Sequence, residues 1–303
     1  MAPRRGPSSP SPDAARLLPP GAVEEFAEAA GGRFRVLRST ASGTGTPLLL
    51  IHGGGPDNAA ISWYRAFAPL SVDRPVFAAD LAGCGYTEDV AVTGTAAGMA
   101  DQLAELADAL GLGRMAVAGV SMGGEVALQF ALRHPGRCAA LVAVAPGGLV
   151  ERLQGRYAQR AAWLATLLPD PVLRPLAALA NRFVGAAVKR MVHDPSTLPA
   201  EVVAEMVREA RRPGSGMAYG AYNKASIGPR GMLNNLLPEV GRITVPTLFF
   251  HGAADPLVPP SGSAGAAARI PGARLVLVPD CGHWAQLEAH GAFVDEVRGF
   301  LAG

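Results

Sequence analysis

Several short stretches of this chain are apolar almost from end to end: Pro47–Ile51, Pro75–Ala79, Met115–Val120, Ala139–Val144, Val245–Phe250 and, behind a leading arginine, Arg274–Val278. A strand with one wet face alternates polar and apolar residues, whereas a run with no polar face is buried on both sides. Between these runs lie stretches with helical spacing. Ala96 to Leu110 sets Met99, Leu103, Leu106 and Leu110 along one face, Gly123 to Arg133 follows the Met115 run directly, and Ala285 to Leu301 repeats Leu287, Phe293, Val297 and Phe300. Strands alternating with helices predict an α/β fold with a mostly parallel central sheet flanked by helices on both faces. Arg33–Ser39 alternates instead, which suits an antiparallel strand near the sheet edge.

The alternation breaks once. From 149 to 238 there is no strand-like run, only Ala-, Leu- and Arg-rich stretches cut by prolines. This segment is expected to be a helical lid inserted into a core formed by 21–148 and 239–303. Residues 1–20 are rich in proline without an apolar run, and are expected to be a disordered tail. They lack the hydrophobic region of a secretory signal, and no stretch approaches the ~20 apolar residues of a membrane span. With 49% hydrophobic residues the chain is able to bury a large core. The formal net charge of +2 gives no field suited to nucleic acid. Cys84, Cys138 and Cys281 match neither a zinc site nor a disulfide framework. A soluble, cytoplasmic protein with no metal, no organic cofactor and no membrane partner is expected. A homodimer is compatible with the sequence, which carries no interface signal.

The chemistry concentrates where apolar runs end. Gly119-Val120-Ser121-Met122-Gly123 fits G-x-S-x-G, with Gly124 after it. In that motif a serine sits on a tight strand-to-helix turn that demands small neighbours. The context fits, because a strand-like run ends at Val120 and a helical pattern follows Gly123. His52-Gly53-Gly54-Gly55-Pro56 follows the Pro47 run and resembles the HGGG-type loop that supplies an oxyanion donor. Acyl transfer needs two backbone N–H groups aimed at the tetrahedral oxygen, and Gly54 and Met122 are the candidates. The loop has neither the G-x-G-x-x-G spacing nor the lysine of a nucleotide site. His52 is read as structural.

Asp255 follows the Val245 run and His283 follows the Arg274 run. A serine needs a neighbouring base, and the base needs a carboxylate to fix its tautomer. Ser121, His283 and Asp255 are therefore the predicted nucleophile, base and orienting acid. Asp280, three residues before His283, is a rival for the last role, and Asp194 a weaker one.

These motifs resemble those of the α/β hydrolases that cleave carbon–carbon bonds in aromatic meta-cleavage products. The similar stretches are His52–Pro56, Ser121–Gly124, Phe130–Pro135, Pro146–Leu149 and Cys281–Gln286. The likeness covers 33–148 and 240–302, while the intervening segment matches poorly. It implies the α/β-hydrolase fold, the triad named above, Gly54 and Met122 as oxyanion donors, and Trp284 lining the substrate pocket. The departures are informative. That family usually places an asparagine before the nucleophile, another after the glycine loop and an arginine in the lid. The corresponding positions here are Val120, Trp63 and Met206, with Arg208 near the last. Losing these polar partners implies a more apolar, uncharged small-molecule substrate, with Trp63 and Val120 in its pocket.

Three functions follow for comparison. The first is hydrolysis of an ester, thioester, lactone or activated ketone in a medium-sized apolar molecule. The second is the meta-cleavage reaction on 2-hydroxy-6-oxo-dienoates, with Arg208, Arg211 or Arg212 meeting the carboxylate. The third is non-hydrolytic ligand binding or cyclisation on the same scaffold. Dehalogenase and epoxide-hydrolase chemistry would need an aspartate where Ser121 stands.

Overall fold

The computed structural model describes residues 16–302 apart from 42 and 156. Most of the expected tail therefore lies outside the described residues. The strands are β1 (Ala22–Ala29), β2 (Gly32–Ser39), β3 (Leu48–Ile51), β4 (Val76–Ala79), β5 (Met115–Val120), β6 (Cys138–Val144), β7 (Thr247–Gly252) and β8 (Arg274–Val278). They form one eight-stranded sheet in the order β1-β2-β4-β3-β5-β6-β7-β8. β2 runs antiparallel to both β1 and β4, and the remaining pairs are parallel.

Helices α1 (Ala59–Trp63) and α2 (Phe67–Leu70) connect β3 to β4, α3 (Ala96–Ala109) connects β4 to β5, and α4 (Met122–Arg133) connects β5 to β6. Between β6 and β7 the described residues form α5 (Ala158–Thr166), α6 (Asp170–Asn181), α7 (Val184–Val188), α8 (Ala200–Ala210) and α9 (Met217–Ser226). The chain closes with α10 (Pro260–Ala267) before β8, then α11 (Ala285–Glu288) and α12 (His290–Ala302). No helix among the described residues is long and apolar enough to cross a membrane.

The alternation of side chains along the all-apolar strands splits the core in two. Leu49, Ile51, Met115 and Val117 pack on one face with Leu103 of α3 and Phe130 of α4. Leu48, Leu50, Ala116 and Ala118 pack on the other with Ile61 of α1 and Phe293 of α12. Burial on both faces is thus the reason these runs carry no polar position. β8 differs from that expectation. It is an edge strand, and Arg274 and Leu277 are exposed.

β1 was not legible as a strand. Its sequence, AVEEFAEA, is built from Ala and Glu, which favour helices. Tertiary pairing overrides that preference. Ala30 and Gly31 both take positive φ, 51° and 78°, which makes a two-residue hairpin turn that aligns all eight residues of β1 with β2. Arg35 of β2, wholly buried, donates to Glu24 of β1 (2.6 Å) and to Asp80 (3.2 Å).

Gly123 shows how tightly α4 sits on the sheet. A Cβ there would land on the backbone carbonyl oxygens of Ile51 and His52. Neither can rotate away. Gly123→Ala is expected to cost at least about 1–3 kcal/mol, the usual range for overpacking. Thermal or urea unfolding checks it.

Candidate active site

Ser121 lies between the end of β5 and the start of α4. Its φ and ψ are 56° and −120°, a combination rare for a residue with a side chain and strained by about 1–3 kcal/mol. The surroundings hold it there. Its N–H donates to Val144 O (2.9 Å), and its carbonyl accepts from Gly147 N (2.9 Å) and Glu125 N (3.2 Å). A Cβ on Gly119 would overlap the Gly123 carbonyl, and one on Gly124 would lie 2.8 Å from Pro146 Cβ. The glycines of the motif are therefore explained by close backbone approach.

The glycine loop after β3 is fixed from beneath. His52 is fully buried; its Nδ1 is 2.7 Å from Gly53 O and its Nε2 is 2.9 Å from Leu81 N. A carbonyl only accepts and an N–H only donates, so the ring is neutral with its proton on Nδ1. His52 is structural, as expected. Gly53 N–H is taken by Asp57 Oδ2 (3.0 Å), which also accepts from Ser62 Oγ (2.7 Å). That commits the Gly53 amide to the loop itself. A Cβ on Gly53 would lie 3.5 Å from Ser121 Cβ, so the loop borders the serine. Met122 opens α4, and the first amides of a helix lack partners within it.

Asp255 and His283 are joined directly, with Nδ1 of His283 2.7 Å from Asp255 Oδ2. Both side chains are almost wholly buried. The other carboxylate oxygen, Oδ1, accepts from Leu257 N (2.8 Å) and Val258 N (3.0 Å), which locks the carboxylate plane. Burial alone would oppose ionisation of Asp255, but hydrogen bonds from His251 and His283 hold its carboxyl well below the ordinary carboxylate range. His283 must place its proton on Nδ1 toward this acceptor, which leaves Nε2 as the basic nitrogen. The backbone N–H of His283 donates to Met191 O (2.7 Å), so the segment inserted between β6 and β7 touches this histidine. Asp280 is exposed in a turn with φ 49°, and Asp194 caps its own turn at Ser196 N (2.9 Å). It is Asp255, not either rival, that meets the imidazole.

Ser121, Met122 and Asp255 line one cavity of about 610 Å³. This is an ordinary size for a small-molecule site. The sequence reading missed most of its wall. Tyr219 and Tyr222 reach it from α9 and stack at 5.8 Å, and Asn234 joins them. A Cβ on Gly54 would collide with the Tyr219 ring, so the Cδ2–Cε2 side of that ring lies against the glycine loop. None of Trp63, Val120 and Trp284, expected in the substrate pocket, is among the residues lining this cavity. They are 0–2% exposed and belong to the core, Trp63 with its ring 6.2 Å from that of Phe293. The aromatic wall comes instead from a helix whose facing residues no local pattern marks.

The expected departures in the inserted segment hold further information. Met206 is buried in the core, while Arg208 of α8 and Arg212 just beyond it pair with Glu205 (3.0 Å) and Glu209 (3.4 Å) of α8. None of the three lines the cavity; among the described residues the arginine that does is Arg152, which is exposed.

His251 joins the same network as Asp255. Its Nε2 lies 3.0 Å from Asp255 Oδ2 and 3.1 Å from Val258 O, and its Nδ1 2.8 Å from Ser263 Oγ. Two acceptors at Nε2 place a proton there, so the Ser263 hydroxyl donates to Nδ1 when the ring is neutral. Its position four residues before Asp255, at the end of an apolar strand, is the signal that was available.

Glu125 is a buried carboxyl beside the cavity. Burial pushes it up to about 7, against hydrogen bonds from Tyr222 and Asn234. The folded state thus holds this proton more tightly than the unfolded chain, whose value is near 4.5. The associated stability is complete below that value and is lost as pH rises through about 7. The facing groups, Tyr222 and Asn234, do not charge in this window: burial raises the Tyr222 hydroxyl well above its ordinary range. Glu125→Gln is expected to remove roughly 3 kcal/mol of the pH dependence of unfolding between weakly acidic and neutral pH. Urea titrations of both proteins at several pH values measure it.

Residues 46–290 match the family model described as alpha/beta hydrolase fold. A 2-hydroxymuconate semialdehyde hydrolase of Pseudomonas putida is 31% identical over 264 residues, covering 86% of this chain and 88% of that one. A 2-hydroxy-6-oxo-2,4-heptadienoate hydrolase of Pseudomonas putida strain F1 is 30% identical over 268 residues, covering 86% and 90%. Among solved structures, a carboxylesterase of Bacillus subtilis superposes with a TM-score of 0.73 at 22% identity, covering 94% of this chain and 93% of that one. That last likeness is one of fold.

Proposed function

The chain belongs to the α/β-hydrolase fold family, and from that premise we propose that it is a serine hydrolase working through Ser121, His283 and Asp255. The observation that carries this reading is the 2.7 Å bond between His283 and Asp255, at the same rim of the sheet as the strained serine. His283 Nε2 takes the proton from Ser121 as the hydroxyl attacks a carbonyl carbon. Asp255 holds the ring in its tautomer and stabilises the imidazolium. The tetrahedral oxygen is met by the amides of Gly54 and Met122. This choice is supported by Gly53 having spent its N–H on Asp57. His283 then returns the proton to the leaving group, and water repeats the cycle on the acyl-enzyme.

The substrate is an ester, thioester, lactone or activated ketone of medium size. Support comes from the mostly uncharged wall, with Tyr219, Tyr222, Leu149 and Met232 around Ser121. In this reading α5–α9 act as a lid, since α9 covers the glycine loop and the Met191 carbonyl braces His283.

A second reading, carbon–carbon bond hydrolysis of a dienoate, is favoured by two observations. Relatives at 30% and 31% identity carry names of such hydrolases, and Arg152 stands at the cavity for a carboxylate. Steady-state kinetics on p-nitrophenyl acyl esters and on a yellow meta-cleavage dienolate discriminate the two. Efficient ester turnover with a slow dienolate supports the first. Dienolate turnover that Arg152→Ala raises in KM by tenfold or more, as loss of a charged hydrogen bond would, replaces it with the second. No turnover of either class overturns the hydrolase reading.

A further inference from the structure

Four residues beyond Ser121, in the first turn of α4, Glu125 is 1% exposed. Its hydrogen-bond partners are neutral. The Tyr222 hydroxyl donates to Oε2, and Asn234 Nδ2 lies 2.6 Å from the same oxygen and 3.2 Å from the Tyr222 oxygen. Asn234 Oδ1 is buried and has no hydrogen-bond partner. Glu125 and Tyr222 are buried, and so is the unpaired Oδ1 atom of the otherwise partly exposed Asn234.

The cluster adjoins the serine through a pair of glycines. A Cβ on Gly147 would stand 3.0 Å from the Tyr222 hydroxyl, 3.4 Å from Glu125 Oε2 and 3.6 Å from the Ser121 carbonyl oxygen. A Cβ on Gly148 would stand 2.6 Å from Glu125 Cγ. Glycine at both positions leaves room for the carboxyl. Ser121, Gly147, Gly148, Tyr222 and Asn234 all line the same cavity. Orphaned buried acceptors are costly, and a ligand that supplies a donor removes the cost, whereas a purely apolar ligand does not.

We propose that Glu125, Tyr222 and Asn234 form a substrate subsite that receives a hydrogen-bond donor, a hydroxyl or a protonated amine, carried by the molecule cleaved at Ser121. The inference rests on the serine hydrolase reading and narrows it. It also revises the expectation of a more apolar, uncharged substrate, since the donor is a hydroxyl or a protonated amine. The body of the substrate is apolar, and one end of it donates. Sites built around such a bond discriminate against analogues that lack the donor, because the site's own acceptors are then left unpaired.

The test uses p-nitrophenyl alkylphosphonates in matched sets. Across a series of chain lengths, the far end is methyl, hydroxyl or ammonium. The second-order rate constant for inactivation is read, and intact mass locates the adduct on Ser121. At the chain length that reaches the subsite, a donor-ended probe reacts about 10- to 100-fold faster than its methyl counterpart, the range of a hydrogen bond to a charged or buried polar group. Glu125→Gln collapses an ammonium advantage but spares much of a hydroxyl advantage, and so separates the two donors. Asn234→Leu, at a partly exposed position, lowers the preference for both. It serves as the independent variant if Glu125→Gln melts early. Labelling of Ser121 with equal rates for all three ends at every length overturns this inference and leaves the hydrolase reading standing. Absence of any Ser121 adduct overturns both.

Discussion

Alanine at position 121 lowers ester turnover by about 10⁵- to 10⁶-fold, the scale of nucleophile loss in serine hydrolases, and abolishes covalent labelling by a fluorophosphonate. The second readout guards the first, since it reports the serine and not a contaminating esterase. A third follows from the backbone. Ser121 holds φ 56° and ψ −120°, and its amide and carbonyl bonds to Val144 and Gly147 do not depend on the side chain. Glycine tolerates such a conformation far better than serine. Ser121→Gly is therefore expected to be as inactive as Ser121→Ala yet more stable toward urea by about 1 kcal/mol. Retained turnover in either variant ends the serine mechanism. An inactive but destabilised glycine variant ends the claim that the turn is strained.

Asp255→Asn is expected to lower kcat by about 10⁴-fold while leaving the fold intact, as loss of the carboxylate in such a triad does. Asparagine keeps an oxygen for the Leu257 and Val258 amides but offers an NH₂ group to His283 and His251, where both rings now meet Oδ2. His283 then turns its proton toward Ser121, and the base is lost. The carboxylate also contributes to stability. Its folded value lies below the ordinary range, so this contribution is present above about pH 4 and is lost as pH falls through the folded value. Acid unfolding of Asp255→Asn should accordingly lack one component seen in the parent. A less than tenfold loss of kcat would show that His283 finds its tautomer without Asp255.

The sheet was legible because burial on both faces leaves its mark in every residue of a strand. Leu48 to Ile51 and Met115 to Val120 have no polar position, and the predicted glycine loop and nucleophile follow where these runs stop. β1 was hidden because its Ala and Glu residues obey a partner, Arg35 and Arg38 across the hairpin, and no period of their own. The cavity wall was hidden for a different reason. Tyr219, Tyr222 and Asn234 belong to a segment whose placement is set by packing over the sheet, so nothing local tells which of its side chains look inward. Trp63 and Trp284 show the converse. A position aligned by resemblance carried an expected role, while large side chains there had become part of the hydrophobic core.

Tyr219 and Tyr222 stand three residues apart on α9, one on Gly54 and the other on Glu125. A single helix thereby touches two parts of the chain that the sequence keeps far apart. Any displacement of α9 as a unit would take Tyr219 from the glycine loop and Tyr222 from Glu125 together. On the proposed reading of α9 as part of a lid, opening of the cavity and loss of the acid's phenol would be a single event.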